Sequence, residues 1–303
     1  MADLSLDICG VHFNNPIIAA SGTVGFGREY AEFYPLSVFG GISCKGTTLK
    51  ERPGNPPPRI AETPMGMLNA VGLQNPGVEH FIKYDLPWLK QQNTVVISNV
   101  AGSTVEDYCK TAEMLSDTDI DMIELNISCP NVKKGGAQFG TSCEGASAIT
   151  REVRKYCKKP LIVKLSPNVT DIAEIARAVE SEGADAVSLI NTLTGMRIDI
   201  NTRRPIIKNI TGGLSGAAVF PVAVRMVWQV KKAVKIPVIG MGGVTTWKDA
   251  VEIMLAGADA IQIGTALFTD PYAPVRIAEG LSAYLDKNGI SSVTELTGKV
   301  QTD

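Results

Sequence analysis

Eight short runs of apolar and β-branched residues, most of them separated by helical patterns, predict an α/β fold: a (β/α)8 TIM barrel formed as a single domain over residues 1–303. Two further observations agree. The exits from two helical patterns read alike, Gly183-Ala-Asp-Ala-Val187 and Gly257-Ala-Asp-Ala-Ile261, as a repeated βα unit requires. The runs also end in polar residues or glycine, and barrel enzymes build their sites at that end of the strands.

The chain opens on residues 4–13, an alternating stretch with Gly10 at its middle, which reads as a small N-terminal hairpin able to plug the bottom of the barrel. The eight runs follow at residues 17–20, 42–45, 95–99, 122–126, 161–165, 186–190, 238–241 and 260–264. Between the third and fourth, Ser103-Thr-Val-Glu106 reads as a capping box, and Val105, Tyr108, Cys109, Ala112 and Leu115 recur at helical spacing. Ile172, Ile175, Ala176 and Val179 repeat that pattern before Gly183, as do Val251, Met254 and Leu255 before Gly257. Two βα connections, residues 46–94 and 191–237, are unusually long. Long ordered loops in compact domains tend to be functional, and both leave the C-terminal face.

Composition narrows the partners. A hydrophobic fraction of 45% suits a large core, and a formal net charge of −2 with no basic block gives no surface for nucleic acid or an anionic membrane. A small-molecule partner is expected. The N-terminus Met-Ala-Asp-Leu-Ser-Leu-Asp7 has neither a basic nor an apolar leader region, and no apolar run reaches membrane-spanning length, so the expectation is a cytoplasmic protein. Cys9, Cys44, Cys109, Cys129, Cys143 and Cys157 form no Cys-x-x-Cys pair and read as thiols, not as ligands of zinc or an iron–sulfur cluster. With only His12 and His80, a histidine triad or metal site is not expected.

The segment Met122-Ile-Glu-Leu-Asn-Ile-Ser-Cys-Pro-Asn131 is an apolar strand that ends in amides and a thiol, and Pro130 cannot continue the ladder, so Cys129 falls where strand becomes loop. The glycine-rich residues 131–142 that follow suit a lid. Gly242-Gly243 and Gly264-Thr265 come after strands seven and eight, where barrels bind phosphate through backbone N–H groups and a helix N-terminus. No strand-linked Gly-x-Gly-x-x-Gly occurs, so a mononucleotide such as FMN fits better than a dinucleotide. Alternation should turn Lys45 and Lys164 inward and Cys44 and Leu165 toward the helices. Lys164 is then either a Schiff-base amine of an aldolase-like enzyme or a fixed charge beside a reduced isoalloxazine. Asn69, Asn99, Asn126, Asn131 and Asn191 offer paired donors and acceptors to a ring with amide and carbonyl edges. A ligand-binding barrel without turnover is the non-enzyme alternative.

Asn126-Ile-Ser-Cys-Pro-Asn131, Ser43-Cys-Lys-Gly-Thr47, Asn69-Ala-Val-Gly-Leu73, Ile190-Asn-Thr192, Gly240-Met-Gly-Gly243 and Ile263-Gly-Thr265 together resemble the dihydroorotate dehydrogenase family over nearly the whole chain. Within it, residues 192–201 and Gly212-Gly-Leu-Ser-Gly216 resemble the class 1B catalytic subunit, and a cysteine at 129 resembles class 1 enzymes, where the membrane-associated class 2 enzymes have serine. The resemblance implies oxidation of dihydroorotate to orotate in de novo pyrimidine biosynthesis, with Cys129 as the base at C5 and hydride passing from C6 to N5 of FMN. It implies FMN binding by Ser21, Lys45, Gly46, Asn99, Asn126, Lys164, Ile190, Gly216, Gly242, Gly243, Gly264 and Thr265. It places the orotate ring and carboxylate on Lys45, Asn69, Ala70, Val71, Gly72, Leu73, Asn126, Asn131, Asn191 and Thr192. It also implies a partner subunit carrying FAD and a [2Fe–2S] cluster that passes electrons to NAD, in a heterotetramer around a homodimer core. The alternatives are a class 1A-like fumarate-linked enzyme and a related pyrimidine-reducing flavoprotein.

Overall fold

The structure, a computed structural model, describes residues 2–128 and 139–302. Strands β1 (Leu6–Ile8) and β2 (Val11–Phe13) pair antiparallel across Cys9 and Gly10, whose φ angles of 52° and 80° give the twist that a two-residue hairpin turn needs. In chain order there follow β3 (Ile17–Ala19), β4 (Gly41–Ser43), β5 (Ile60–Thr63), β6 (Gly66–Asn69), β7 (Val95–Val100), β8 (Met122–Asn126), β9 (Leu161–Lys164) and β10 (Ala186–Leu189). The remaining strands are β11 (Leu193–Gly195), β12 (Ile198–Asp199), β13 (Arg204–Pro205), β14 (Gly212–Ser215), β15 (Val238–Met241) and β16 (Ala260–Ile263).

Strands β3, β4, β7, β8, β9, β10, β15 and β16 close into a parallel barrel in that order, β16 pairing back to β3. They are the eight runs expected from sequence, with ends moved by at most two residues. Alternation decides what each strand gives to which side. On β8, Ile123 and Leu125 pack outward in the layer shared with the helices, whereas Met122 joins an inner cluster with Ile18, Val95, Ile97, Ile162 and Ile239. Leu6, Ile8 and Phe13 belong to that same inner cluster, so the hairpin closes the bottom of the barrel as expected. Cys44 and Leu165 lie in the outer layer, again as alternation predicts.

The helix Val105–Ser116 corrects one expectation. Its capping box is Thr104 with Asp107, one residue later than Ser103 with Glu106. The shorter carboxylate wins because Asp107 accepts from the backbone N–H groups of both Ser103 and Thr104, at 3.2 Å each, while Thr104 Oγ1 accepts from Asp107 N. The helix Ile172–Ser181 buries the four residues named above, and Trp247–Ala256 buries Val251 and Met254 with Leu255 half-buried.

The two long connections meet. Strands β5 and β6 from the first, and β11 and β14 from the second, form one antiparallel sheet in the order β11-β14-β6-β5, with Leu214 opposite Leu68. Ile60, Met67, Asn69 and Ser215 of that sheet line a cavity shared with the C-terminal ends of the barrel strands, so the sheet covers the mouth. Among the described residues no helix is long and apolar enough to cross a membrane.

Because Phe13 is 0% exposed in the inner cluster, Phe13→Ala is expected to destabilise the fold by about 3–5 kcal/mol. Equilibrium denaturation checks it; a loss under about 1 kcal/mol would mean that the hairpin does not carry the bottom of the core.

Candidate active site

Halfway up the barrel the inner surface changes from apolar to polar. Two residues beyond Met122 on β8, alternation turns Glu124 to the axis, where it is 0% exposed. Its carboxylate accepts from four strands: Ser43 Oγ at 2.7 Å, Asn99 Nδ2 at 2.6 Å, Ser188 Oγ at 2.8 Å and Gln262 Nε2 at 2.7 Å. Lys164 Nζ lies 3.7 Å from the same carboxylate, with 6% of its side chain exposed. Burial opposes ionisation of Glu124, but the Lys164 ammonium and the hydrogen bonds from Gln262, Ser43 and Ser188 outweigh it and hold the carboxyl below its ordinary value.

Above this layer the amides form a chain. Asn126 Nδ2 donates to Asn99 Oδ1 at 3.3 Å, and Asn126 Oδ1 accepts from Ser128 Oγ at 3.2 Å and from Asn191 Nδ2 at 3.5 Å. Asn191 Nδ2 also donates to Ser128 Oγ at 2.7 Å. The strand tip is braced from outside by Tyr108, whose buried hydroxyl donates to Asn126 O at 2.9 Å. On the opposite wall Ser21 Oγ donates to Cys44 O at 2.6 Å and Thr265 Oγ1 to Ser215 Oγ at 2.8 Å.

These groups surround a cavity of about 350 Å³, within the range of small-molecule sites. All twelve residues expected to bind FMN line it, Lys164 and Lys45 among them. Of the expected orotate residues, Lys45, Asn69, Val71, Gly72, Leu73, Asn126, Asn191 and Thr192 line it too. Ala70 does not: it is fully buried, its N–H bonded to Arg59 O and its carbonyl accepting from Asn55 Nδ2, so it anchors the loop from behind. Cys129 and Asn131, and most of the expected lid 131–142, lie outside the described residues.

The helix Trp247–Ala256 after β15 caps its own N-terminus with Thr246 and Asp249, whose carboxylate accepts from Thr245 N and Thr246 N. The short helix Ala266–Thr269 after β16 has no side-chain cap, and Thr265 and Ala266 at its start line the cavity beside the glycine turns. At Gly243, φ is 82° and an added Cβ would come within 2.7 Å of Phe220 and 2.9 Å of Gly216 O, so only glycine lets the backbone line the cavity here.

Sequence reasoning passed over Glu124, Ser43, Ser188 and Gln262. The signal was present in Met122-Ile-Glu-Leu-Asn126, where a carboxylate occupies the inward register of an apolar strand. Gln262 Oε1 is buried and has no hydrogen-bond partner among the described residues, although Gln262 lines the cavity. An acceptor left in this way suits a ligand that donates. With the lysines, the amides and the glycine turns, this donor and acceptor set fits a flavin mononucleotide. Among the described thiols, burial pushes Cys9 up to about 11 and also raises Cys44, Cys109 and Cys157, so none of these four is a ready thiolate.

Comparison with known proteins adds an independent line. The family model described as dihydroorotate dehydrogenase matches residues 3–285. A protein of Phocaeicola vulgatus named dihydroorotate dehydrogenase B (NAD(+)), catalytic subunit, is 60% identical over 302 residues, covering 99% of this chain and 100% of the relative. Proteins of the same name from Bacteroides thetaiotaomicron and Petrotoga mobilis are 59% and 53% identical, covering 99% and 98% of this chain and 100% and 99% of their own lengths.

The depressed pKa of Glu124 makes stability depend on pH. Its contribution is fully present above the ordinary value of 4.5 and is lost as pH falls through the lower folded value. Denaturant titrations of wild type and Glu124→Gln are therefore expected to differ most near neutral pH and to converge below pH 4.5. A gap that widens on acidification would reverse the assignment.

Proposed function

This chain belongs to the dihydroorotate dehydrogenase family, and from that membership we propose that it is the FMN-containing catalytic subunit that oxidises dihydroorotate to orotate in pyrimidine biosynthesis. We propose that the whole chain, residues 1–303, works as one domain in the cytoplasm. One observation carries the reading: a single cavity at the strand ends gathers every residue expected to hold FMN and six further residues expected to hold orotate, with Lys45 and Asn126 common to both sets.

Bound FMN supplies a hydride acceptor for C6 of the substrate. The chain's residues do the rest. Lys164, fixed by Glu124, places a positive charge where negative charge develops during reduction. Asn126 and Asn191, locked to each other and to Ser128, have amide orientations set before substrate arrives, which lowers the cost of ordering it. The β5–β6 and β11–β14 sheet limits water at the mouth, which strengthens each of these interactions. Cys129 follows Ser128 directly and is assigned the C5 proton. A thiol has a reference pKa of about 8.5, so the thiolate must be favoured in the assembled site for it to act as a base near neutral pH.

The relatives' name includes NAD(+) and catalytic subunit, and this chain has neither a strand-linked dinucleotide fingerprint nor clustered cysteines. We therefore assign electron transfer to NAD to a separate subunit carrying FAD and a [2Fe–2S] cluster, within a heterotetramer built on a homodimer.

Cys129→Ala is expected to retain FMN and to lose about 10²–10⁴-fold in the rate of flavin reduction by dihydroorotate, the usual worth of a positioned base. Stopped-flow bleaching at the wild-type rate would remove Cys129 from the mechanism. Supplied with dihydroorotate, the purified chain is expected to reduce an artificial dye while forming little NADH and using no fumarate. Brisk turnover with NAD alone would abolish the need for a partner, and turnover with fumarate would place the chain in class 1A.

A further inference from the structure

The cavity's polarity is set from below by a residue that does not itself line it. Glu124 has only acceptor atoms when ionised, so any amide that touches it must turn its NH2 group toward it. Asn99 and Gln262 both do so, at 2.6 Å and 2.7 Å. The choice of amide orientation is thereby fixed: the opposite orientation would set a carbonyl oxygen against a carboxylate. Both carbonyl oxygens consequently face away from Glu124. Asn99 Oδ1 accepts from Asn126 Nδ2, which starts the one-directional chain that runs on to Ser128 and Asn191. Gln262 Oε1 is left buried without a partner among the described residues. The third arm is Lys164, held 3.7 Å from the carboxylate.

We infer that Glu124 is a positioning residue: it orients the Asn99 and Gln262 amides and the Lys164 ammonium so that the cavity floor offers acceptors and one cation in a fixed pattern to the isoalloxazine ring. The inference rests on the proposed FMN site and deepens it. A purely structural role would need the four hydrogen bonds but would be indifferent to what binds above them. A positioning role makes the flavin sense the change.

The test titrates apo-protein with FMN, following flavin fluorescence, for wild type, Glu124→Gln, Lys164→Met and the double variant, and measures the flavin midpoint potential of each. Glutamine keeps the size of Glu124 but carries two N–H donors of its own, so at least one of its neighbours must turn or lose its acceptor. Folded Glu124→Gln is expected to bind FMN about 10- to 100-fold more weakly, with a shifted midpoint potential, as hydrogen bonds to charged groups are worth. The double variant is expected to lose less than the product of the single losses. Wild-type affinity and potential in Glu124→Gln, even with a lowered melting temperature, would overturn the inference, as would losses that multiply in full. If Glu124→Gln does not fold, Gln262→Leu decides in its place: weaker FMN binding with a shifted potential supports the inference, and wild-type behaviour overturns it. Failure of the wild-type chain to take up FMN would instead sink the proposed function, and the inference with it.

Discussion

Glu124 stands at the axis of a closed ring of strands with none of its surface in water, and a charge placed there costs several kcal/mol unless it is paired and hydrogen-bonded. Its partners come from β4, β7, β9, β10 and β16, so compensation exists only when the barrel has closed in register. Asn99 pairs with Glu124 across β7 and β8, and Ser188 with Lys164 across β9 and β10. A slip of one residue on any of these strands would turn the partner outward into the apolar layer and leave the carboxylate short. The polar layer thus rewards one register over its neighbours as well as serving ligand.

The same layer accounts for the proposed site lying at one end of the barrel. Below Glu124 the inward positions are Ile, Val, Met and Ala with Gly41 on β4, and no side chain there can orient a polar ligand. Above it the lining mixes glycine turns and Ile190 with amides, hydroxyls and lysines, and the Asn99, Asn126 and Asn191 amides and the Lys164 ammonium are held by neighbours, so a ligand meets polar groups whose directions are set. The sheet built from the two long connections completes the enclosure, which lowers the local dielectric and magnifies both the lysine charge and the amide dipoles.

Much of this was legible in the sequence, and the failures have identifiable causes. The barrel strands were found because alternation and apolar runs are local signals. The pairing of β14 with β6 was not, since Gly212-Gly-Leu-Ser215 carries little strand propensity and its partner lies more than a hundred residues away. The capping box was placed one residue early because two overlapping patterns competed and only geometry chooses between them. Ala70 was carried along with its neighbours, though a residue between two loop anchors faces the loop's back. Glu124 is harder to read from the sequence because polar residues are dense at the strand's tip, Asn126 to Asn131, and draw the functional signal there. A lone charge in an inward register is a sparser signal and here the more telling one.

A polar layer through the middle of a barrel gives up apolar burial there, and the N-terminal hairpin adds apolar burial below it. Burying one large apolar side chain is worth about 1.5–3 kcal/mol, and Leu6, Ile8 and Phe13 are all at or below 5% exposure against the barrel's lower residues. Their joint contribution is therefore several kcal/mol. A barrel with an apolar axis throughout would need no such plug; one that gives half its axis to oriented polar groups gains from extra burial at the other end. Hairpin and Glu124 layer share no residue, yet each is best understood through the other: the plug makes good at the bottom the apolar burial that the site gives up at the top.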